Sequence, residues 1–265
     1  MARPLSSNTL SGWQIQRNVI SALVYRELKT RVSEVKFGVL GVFIEPLGIM
    51  AVFLAIFSAI RGNRGPLDVA LFLACGILFF TLFNDIAIRS LGAMRANEAL
   101  FFYKPVKPID TVIARTLVEC GLYSIVFIVI VASIFLIREQ WLLDDFPLVM
   151  ISFLCLSVTG FGVGLILMVA GHRYSSLHQF VPLAMRPLWF ISAVFFATSS
   201  LPQWLVPLIC WNPVVQAIEL SRHAFSPDYV VPEAISLYYL ISVAAGSSCL
   251  GLWIYRNNER LLLTR

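Results

Sequence analysis

The sequence FFYKPVKPIDTVIARTLVE occupies residues 101–119 and joins two long apolar runs, 69–93 and 110–137. It contains spaced prolines, paired charges and a short amphipathic piece, which a simple connection between helices would not need. Each flanking run exceeds the roughly 20 apolar residues that a transmembrane helix requires. The stretch therefore predicts a membrane protein with a structured loop, suited to docking a partner, between two of its spans.

The composition agrees with a membrane protein. The chain is 58% hydrophobic and 13% charged, whereas a soluble domain is typically about 25% charged. Open sheet edges cannot face lipid and period-2 alternation is not evident, so the apolar runs are predicted to be helices. We expect one all-α transmembrane domain over 1–265 with six spans, at 37–60, 69–93, 110–137, 147–170, 180–199 and 232–255.

The distribution of Lys and Arg predicts the orientation of the spans. Basic residues concentrate in the N-terminal tail, the 94–109 loop, the 171–179 loop and the C-terminal tail. An even number of spans with both termini in the cytoplasm fits this bias, and no cleavable signal peptide is visible. The net charge of +5 then reflects topology and contact with anionic lipid. Because the basic residues are spread over several loops, nucleic acid is not an expected partner.

Residues 9–34 are predicted to form an amphipathic helix in the cytoplasmic headgroup plane. The alternative is a soluble tail helix that packs on another subunit. Arg17 and Arg31 interrupt the apolar stripe of this helix. The stripe consists of Leu10, Trp13, Ile20, Leu23, Val24 and Leu28.

Charged residues inside the apolar runs are functional candidates because they are costly when they face lipid. Glu45 is predicted to face the protein interior, where it pairs with an arginine such as Arg89 or Arg115 or, alternatively, serves as an acidic anchor at a hinge formed by Pro46. Asp85 and Arg89 are four residues apart and can pair on one helix face. Arg186 has no local acidic partner, so it is the better ligand candidate, although it can also snorkel to phosphates.

The segment 201–225 differs from an ordinary loop. It is apolar but broken by prolines into pieces too short to span, which predicts two short helices that re-enter the membrane from outside. Pro213–Phe225 reads as a helix with Asn212 as its N-cap. Glu219 and Arg222 are three apart and can form an ion pair.

Enzymatic and metal-binding roles are not expected. The cysteines fall mostly within apolar runs without C-x-x-C spacing, so we predict no disulfide and no metal site. The three histidines are divided between the two sides of the membrane, which leaves no His-rich catalytic site. The chain has no G-x-x-x-x-G-K-[ST], so we expect no cofactor on it and no ATP site. A proton-coupled carrier that uses Glu45, Asp85 and Glu119 remains an alternative.

Several short motifs carry a resemblance to a known family. They are RELKTR at 26–31, FIEP at 43–46, VKPID at 106–110 followed by AR at 114–115 and LVE at 117–119, and NP at 212–213 followed by IELSR at 218–222. Their order resembles that of inner-membrane permeases of ABC transporters that export bacterial capsular polysaccharide. The resemblance covers nearly the whole chain. O-antigen exporters are separated less well, but the compact length without a carbohydrate-binding extension favours capsule.

The resemblance implies the partners of the protein. It implies a homodimer with a pore at its interface, in the bacterial inner membrane, that moves a lipid-linked acidic polysaccharide. It also implies two cytoplasmic ATPase subunits that bind ATP and Mg²⁺, a periplasmic co-polymerase and an outer-membrane export protein. The ATPases are expected to dock on a coupling helix at 94–104 and on the 171–179 loop.

The candidate site residues fall into three groups. For ATPase coupling they are Asn97, Glu98, Phe101, Phe102, Tyr103, His172 and Arg173, although the aromatic residues can instead form an interfacial belt. For the substrate path they are Arg26, Arg31, Arg89, Arg115, Arg186, Trp189, Phe195 and Trp204, and packing is the alternative role of the aromatic members. For an external gate they are Leu208, Trp211, Glu219 and Arg222, in a segment that can alternatively serve as a platform for the periplasmic partner.

Overall fold

A computed structural model describes residues 11–33, 39–61, 67–102, 105–139 and 143–263. All regular structure in these ranges is helical, so the all-α prediction is confirmed there. The α-helices are α1 Gly12–Ser33, α2 Val39–Arg61, α3 Val69–Leu91, α4 Ala93–Asn97, α5 Pro108–Arg138, α6 Phe146–Arg173, α7 Leu177–Ile191, α8 Val206–Cys210, α9 Pro213–Phe225 and α10 Leu237–Leu263. A 3₁₀ turn at Glu98–Phe102 directly continues α4.

Four of the described helices, α3, α5, α6 and α10, are long and apolar enough to cross a membrane. In α2 the described apolar part is shorter, Pro46–Phe57. The predicted span 180–199 is not one continuous helix, because α7 has 15 residues and ends at Ile191. At 1.5 Å per residue it is about 22 Å long, less than the roughly 30 Å hydrocarbon core. Ala193 has a φ of 57°, a left-handed conformation that ends the helix.

Helix α3 is the centre of the molecule. It packs against α2, α5, α6 and α9. Its buried side chains include Leu71, Phe79 and Ile86, each with 0% exposure, so it is enclosed on all sides rather than on one stripe. A helix that is apolar on most of its surface is expected in the core of a protein, which is where α3 lies.

The pair α6–α10 crosses more closely than ordinary side chains permit. A Cβ atom added to Gly162 would lie 2.4 Å from the carbonyl carbon of Ser247, and one added to Gly251 would lie 2.5 Å from the carbonyl oxygen of Gly162. Small residues of this kind allow two membrane helices to approach backbone to backbone. Gly162 and Gly251 therefore fix the position of α10 on the helical core.

Several helices begin at side chains that cap them. Asp68 accepts a hydrogen bond from Ala70 N at 2.8 Å, and Asp145 accepts one from Leu148 N at 3.0 Å. Asn212 caps α9 through Val214 N at 3.0 Å, with Pro213 as the first helical residue. The helix predicted at Pro213–Phe225 is thus confirmed, and with α8 it makes the segment 201–225 a pair of short helices. Their insertion from outside the membrane stays a prediction.

Candidate functional site

Three helices meet at a cluster of charged side chains, which we call the ion-pair cluster. Each helix contributes one carboxylate and one guanidinium four residues apart, so that both lie on one face. The members are Glu27 and Arg31 from α1, Asp85 and Arg89 from α3, and Arg115 and Glu119 from α5. Equal numbers of acidic and basic groups leave the cluster close to electrically neutral when all are ionised.

The ion pairs of the cluster join different helices. Arg31 Nη2 lies 3.0 Å from Asp85 Oδ2 and 3.5 Å from Glu119 Oε2. Arg89 Nε lies 2.9 Å from Glu119 Oε1, and Arg115 Nε lies 3.1 Å from Glu27 Oε1. Buried charges are tolerated when each has partners. The cluster therefore attaches α1 to two membrane helices of the same chain.

Arg31 is held in its charged form. Burial lowers the pKa of Arg31, but the carboxylates of Glu119 and Asp85 outweigh that effect, so its pKa lies above the ordinary value. Asp85 also accepts a hydrogen bond from Tyr123 Oη at 2.8 Å. Arg31, which interrupts the apolar stripe of α1, is thus accounted for by acidic partners on α3 and α5.

The ion pairs in the cluster differ from the pair that the sequence predicted. Asp85 pairs with Arg31, and Arg89 pairs with Glu119 and, at 3.6 Å, with Glu27, so the local Asp85–Arg89 pair is not the arrangement that forms. The side chain of Glu45 lies outside the described residues. The sequence named Glu27 only within the RELKTR motif and assigned it no role, although its spacing of four from Arg31 was a usable signal.

Four arginines predicted for the substrate path are therefore brought close together. Arg31, Arg89 and Arg115 lie in the ion-pair cluster. Arg26 donates to the side-chain oxygen of Asn97, the last residue of α4. The carboxylate partners of Arg31, Arg89 and Arg115 support a structural role for these three, and contact of any of the four with substrate stays a prediction.

The two predicted ATPase-docking segments are neighbours. Arg95 Nη2, in α4, donates to Ser175 Oγ at 2.8 Å, which joins the 94–104 segment to the 171–179 loop. Glu98 is exposed, and so are His172 and Arg173 at the end of α6. Arg173 lies 5.7 Å from the ring centroid of Tyr174. The two segments thus form one continuous surface.

Other members of the coupling group have different surroundings. Asn97 is 2% exposed and donates to Ala93 O at 2.8 Å, so it holds the segment in place rather than presenting itself to a partner. Phe101 packs on a small apolar cluster that includes Met94. The side chain of Phe102 and all of Tyr103 lie outside the described residues.

Helix α7 carries an aromatic cluster and an exposed cation. Trp189 and Phe195 pack on Phe53 of α2, with ring centroids 5.8 Å and 4.3 Å away, and lie 4.9 Å from each other. This geometry favours packing over sugar binding for both rings. Arg186 is exposed and, within the described part of the chain, forms no ion pair or hydrogen bond. It therefore differs from the arginines of the ion-pair cluster.

The Glu219–Arg222 pair of α9 is fully buried. Arg222 Nη1 lies 2.9 Å from Glu219 Oε1, and both side chains have 0% exposure. Glu219 also accepts hydrogen bonds from Thr198 at 2.8 Å and from Tyr229 Oη at 3.1 Å. Burial raises the pKa of Tyr229, which keeps its hydroxyl a donor. These contacts anchor α9 within the protein.

Exposed aromatic and aliphatic side chains accompany this buried anchor. Trp204 is 70% exposed, Leu208 68% and Trp211 77%. Trp211 is fixed through its backbone, because its carbonyl accepts a hydrogen bond from Tyr239 Oη at 2.8 Å. A gating role for these side chains stays a prediction.

Four helices that are long and apolar enough to cross a membrane, together with shorter helices between them, fit a transmembrane permease. The chain belongs to the ABC-2 type transporter family, whose sequence model matches residues 18–226. It is 35% identical to the polysialic acid transport protein KpsM of Escherichia coli over 96% of this chain and 98% of KpsM. It is 26% identical to the capsule polysaccharide export inner-membrane protein BexB of Haemophilus influenzae, over 92% of each chain.

The chain is also similar to a permease of an O-antigen export system. The O-antigen export system permease protein RfbA of Klebsiella pneumoniae is 24% identical over 84% of this chain and 86% of RfbA. The lower identity and coverage make the O-antigen alternative weaker than the capsule one.

Proposed function

We propose that this protein is the transmembrane subunit of an ATP-driven exporter. It moves an acidic, lipid-linked capsular polysaccharide across the bacterial inner membrane through a pore between two copies of the chain. The similarity to KpsM carries this proposal, because it extends over 96% of this chain and 98% of that protein. The family match at 18–226 supports the permease role independently of the substrate.

The proposed topology has six crossings and both termini in the cytoplasm. Helices α2, α3, α5, α6 and α10 each make one crossing, and α7 makes one together with the residues after it. Irregular backbone is tolerated at membrane depth where protein buries it. Ser192, Ala193 and Val194, which follow α7, each have 0% exposure, and this supports a broken fifth crossing.

The proposed energy source is a separate pair of ATPase subunits that bind ATP and Mg²⁺. They dock on the surface that α4, the following 3₁₀ turn and the 171–179 loop form together. The Arg95–Ser175 hydrogen bond of 2.8 Å supports a single docking surface, because it brings the two segments into direct contact. A periplasmic co-polymerase and an outer-membrane export protein complete the proposed assembly.

Deletion of the gene in its native host tests the proposed function. Surface capsule is expected to disappear while polysaccharide accumulates in the cytoplasm, and a plasmid copy is expected to restore export. Capsule and lipopolysaccharide O-chains should be measured in the same cells. Loss of O-chains with intact capsule would select the O-antigen alternative, and unchanged amounts of both would overturn polysaccharide export.

A further inference from the structure

Arg17 lies within the apolar stripe of α1, and no acidic partner among the described residues accounts for its charge there. Arg17 and Arg31 both interrupt the apolar stripe, but Arg31 is paired with Asp85 and Glu119. Arg17 is exposed and, among the residues that the structure describes, has neither an ion pair nor a hydrogen bond from its side chain. It lies along a groove of about 490 Å³ between α1 and α5.

The groove is otherwise largely apolar. Ile20, Val24 and Leu28 line it from α1, and Leu117 lines it from α5. Leu117 is 52% exposed on α5, a helix that is long and apolar enough to cross a membrane. Hydrocarbon of the bilayer is therefore a chemically matched covering for this side of the groove.

Two aromatic side chains border the same groove. Trp13 is 77% exposed and Tyr25 is 72% exposed. Tryptophan and tyrosine are enriched where hydrocarbon meets headgroups, because one end of each ring system is apolar and the other polar. The groove therefore combines an exposed cation, which suits a lipid phosphate, with an apolar lining, which suits an acyl chain. Its two bordering aromatic side chains are of the kind found at the depth where headgroups meet hydrocarbon.

We propose that the α1–α5 groove binds an anionic phospholipid of the surrounding membrane. An acyl chain lies along Ile20, Val24, Leu28 and Leu117, and the phosphate pairs with Arg17. Charge complementarity favours this occupant over an apolar helix of a partner, which would leave Arg17 without an anion at a lipid-facing surface. An anionic headgroup is favoured over a zwitterionic one because the groove supplies an uncompensated positive charge.

The lipid would strengthen the attachment of α1 to α5. Gln16, which also lines the groove, donates to Asp110 at the start of α5. The ion-pair cluster attaches α1 further along through Glu27 and Arg31. A bound lipid fills the space between these two attachments.

The experiment uses the full chain reconstituted in nanodiscs of synthetic lipid, so that no polysaccharide anchor is present. Trp13 fluorescence is quenched by phosphatidylglycerol or phosphatidylcholine with brominated acyl chains. Trp13→Phe gives the background from the other members of the six tryptophans. Because one basic residue near an anionic surface contributes about 1 kcal/mol, brominated phosphatidylglycerol should quench Trp13 at about five-fold lower mole fraction than phosphatidylcholine.

Charge variants separate a site from general surface attraction. Arg17→Gln should abolish the preference for phosphatidylglycerol, and Arg17→Lys should keep most of it. The matched control is Arg173→Gln, which removes an exposed positive charge from the end of α6. Equal quenching by both lipids, an equal loss of preference in Arg173→Gln, or no Trp13-dependent quenching would each overturn the proposal.

Discussion

Arg222 Nη2 lies 2.9 Å from the carbonyl oxygen of Val194, just beyond the point where α7 ends. The same guanidinium donates to Phe196 O at 3.1 Å and to Phe72 O at 3.2 Å, and its carbon lies 3.5 Å from the Phe72 ring centroid. Backbone carbonyl groups that lie outside a helical hydrogen-bond pattern need other hydrogen-bond donors where water is excluded. Arg222 supplies them, so the broken segment after α7 and the start of α3 share one buried side chain.

Arg222→Lys should destabilise the protein although it keeps the positive charge. An ammonium lacks the planar fork that reaches Glu219 and the three carbonyl groups together. Disruption of a buried pair costs about 3–5 kcal/mol, so a large fall in the unfolding temperature of the purified protein is expected. Arg186→Lys is the control, because Arg186 is exposed. Equal unfolding temperatures for the two variants would refute the anchoring role.

The ion-pair cluster should behave as a coupled unit. Glu27→Gln removes a carboxylate that pairs with both Arg115 and Arg89, so it leaves excess buried positive charge. We expect a loss of about 3–5 kcal/mol for Glu27→Gln or Arg115→Gln alone. The double variant should lose less than the sum of the two, because it removes both charges. Thermal unfolding of the three variants in detergent measures this, and strict additivity would contradict the coupling.

Local signals in the sequence predicted most of the helices. The run 69–93 became α3, and Asn212–Pro213 begins α9 as predicted, because length, hydropathy and capping are encoded within a few neighbouring residues. The end of α7 was missed because hydropathy averages over a window. The carbonyl groups after the break at Ala193 accept hydrogen bonds from Arg222, which is distant in sequence.

The pairing of charges was predictable only in part. The spacing of four between Asp85 and Arg89 gives a local pair, but three helices compete for the same partners. Tertiary packing brings Arg31 to 3.0 Å from Asp85 and Glu119 to 2.9 Å from Arg89, so these pairs form instead of the local one. Which charged residues pair therefore depends on how the helices pack, and the spacing of residues along one helix gives no information about that packing.

Glu98→Arg should uncouple ATP hydrolysis from export without unfolding the permease. Glu98 is exposed in the 3₁₀ turn after α4, on the proposed ATPase-docking surface. A reversed charge at this position disturbs the electrostatic complementarity between the permease surface and the ATPase subunit that is proposed to dock on it. Normal protein levels with at least a ten-fold loss of surface polysaccharide are expected, while Glu233→Arg, another exposed glutamate, serves as the control. Unchanged export at normal protein levels would exclude Glu98 from coupling.

Arg186→Ala should lower export more than it lowers stability. Arg186 is exposed on α7 and lacks a partner among the described residues, so little folding energy is lost with it. An acidic polymer in a low-dielectric channel needs positive charge, which Arg186 is predicted to supply. Export per folded dimer should fall several-fold, whereas Arg256→Ala, an exposed arginine on α10, should export normally. A fall in stability without a fall in export per dimer would make Arg186 structural.

The exposed side chains of the segment 201–225 should restrict ion leak if they close the external mouth of the pore. An aqueous channel wide enough for a sugar chain would dissipate the membrane potential, and apolar constrictions can close such a channel by dewetting. Leu208 and Trp211 are 68% and 77% exposed in the single chain, so both are available to a second copy across the proposed dimer axis. The anchored Glu219–Arg222 pair holds α9 beside them.

Leu208→Ser with Trp211→Ser should therefore raise ion flux through reconstituted vesicles without loss of folded dimer. The matched control is Val230→Ser with Tyr238→Ser, which removes two other exposed side chains, 70% and 86% exposed, near the same segment. Flux is measured as the decay of an imposed K⁺ diffusion potential, in vesicles with equal protein content. Because the apolar barrier is lost only in the first pair, the control should decay like the wild type. Equal decay in all three proteins, together with lost binding of the periplasmic partner, would show that the segment is a platform and not a gate.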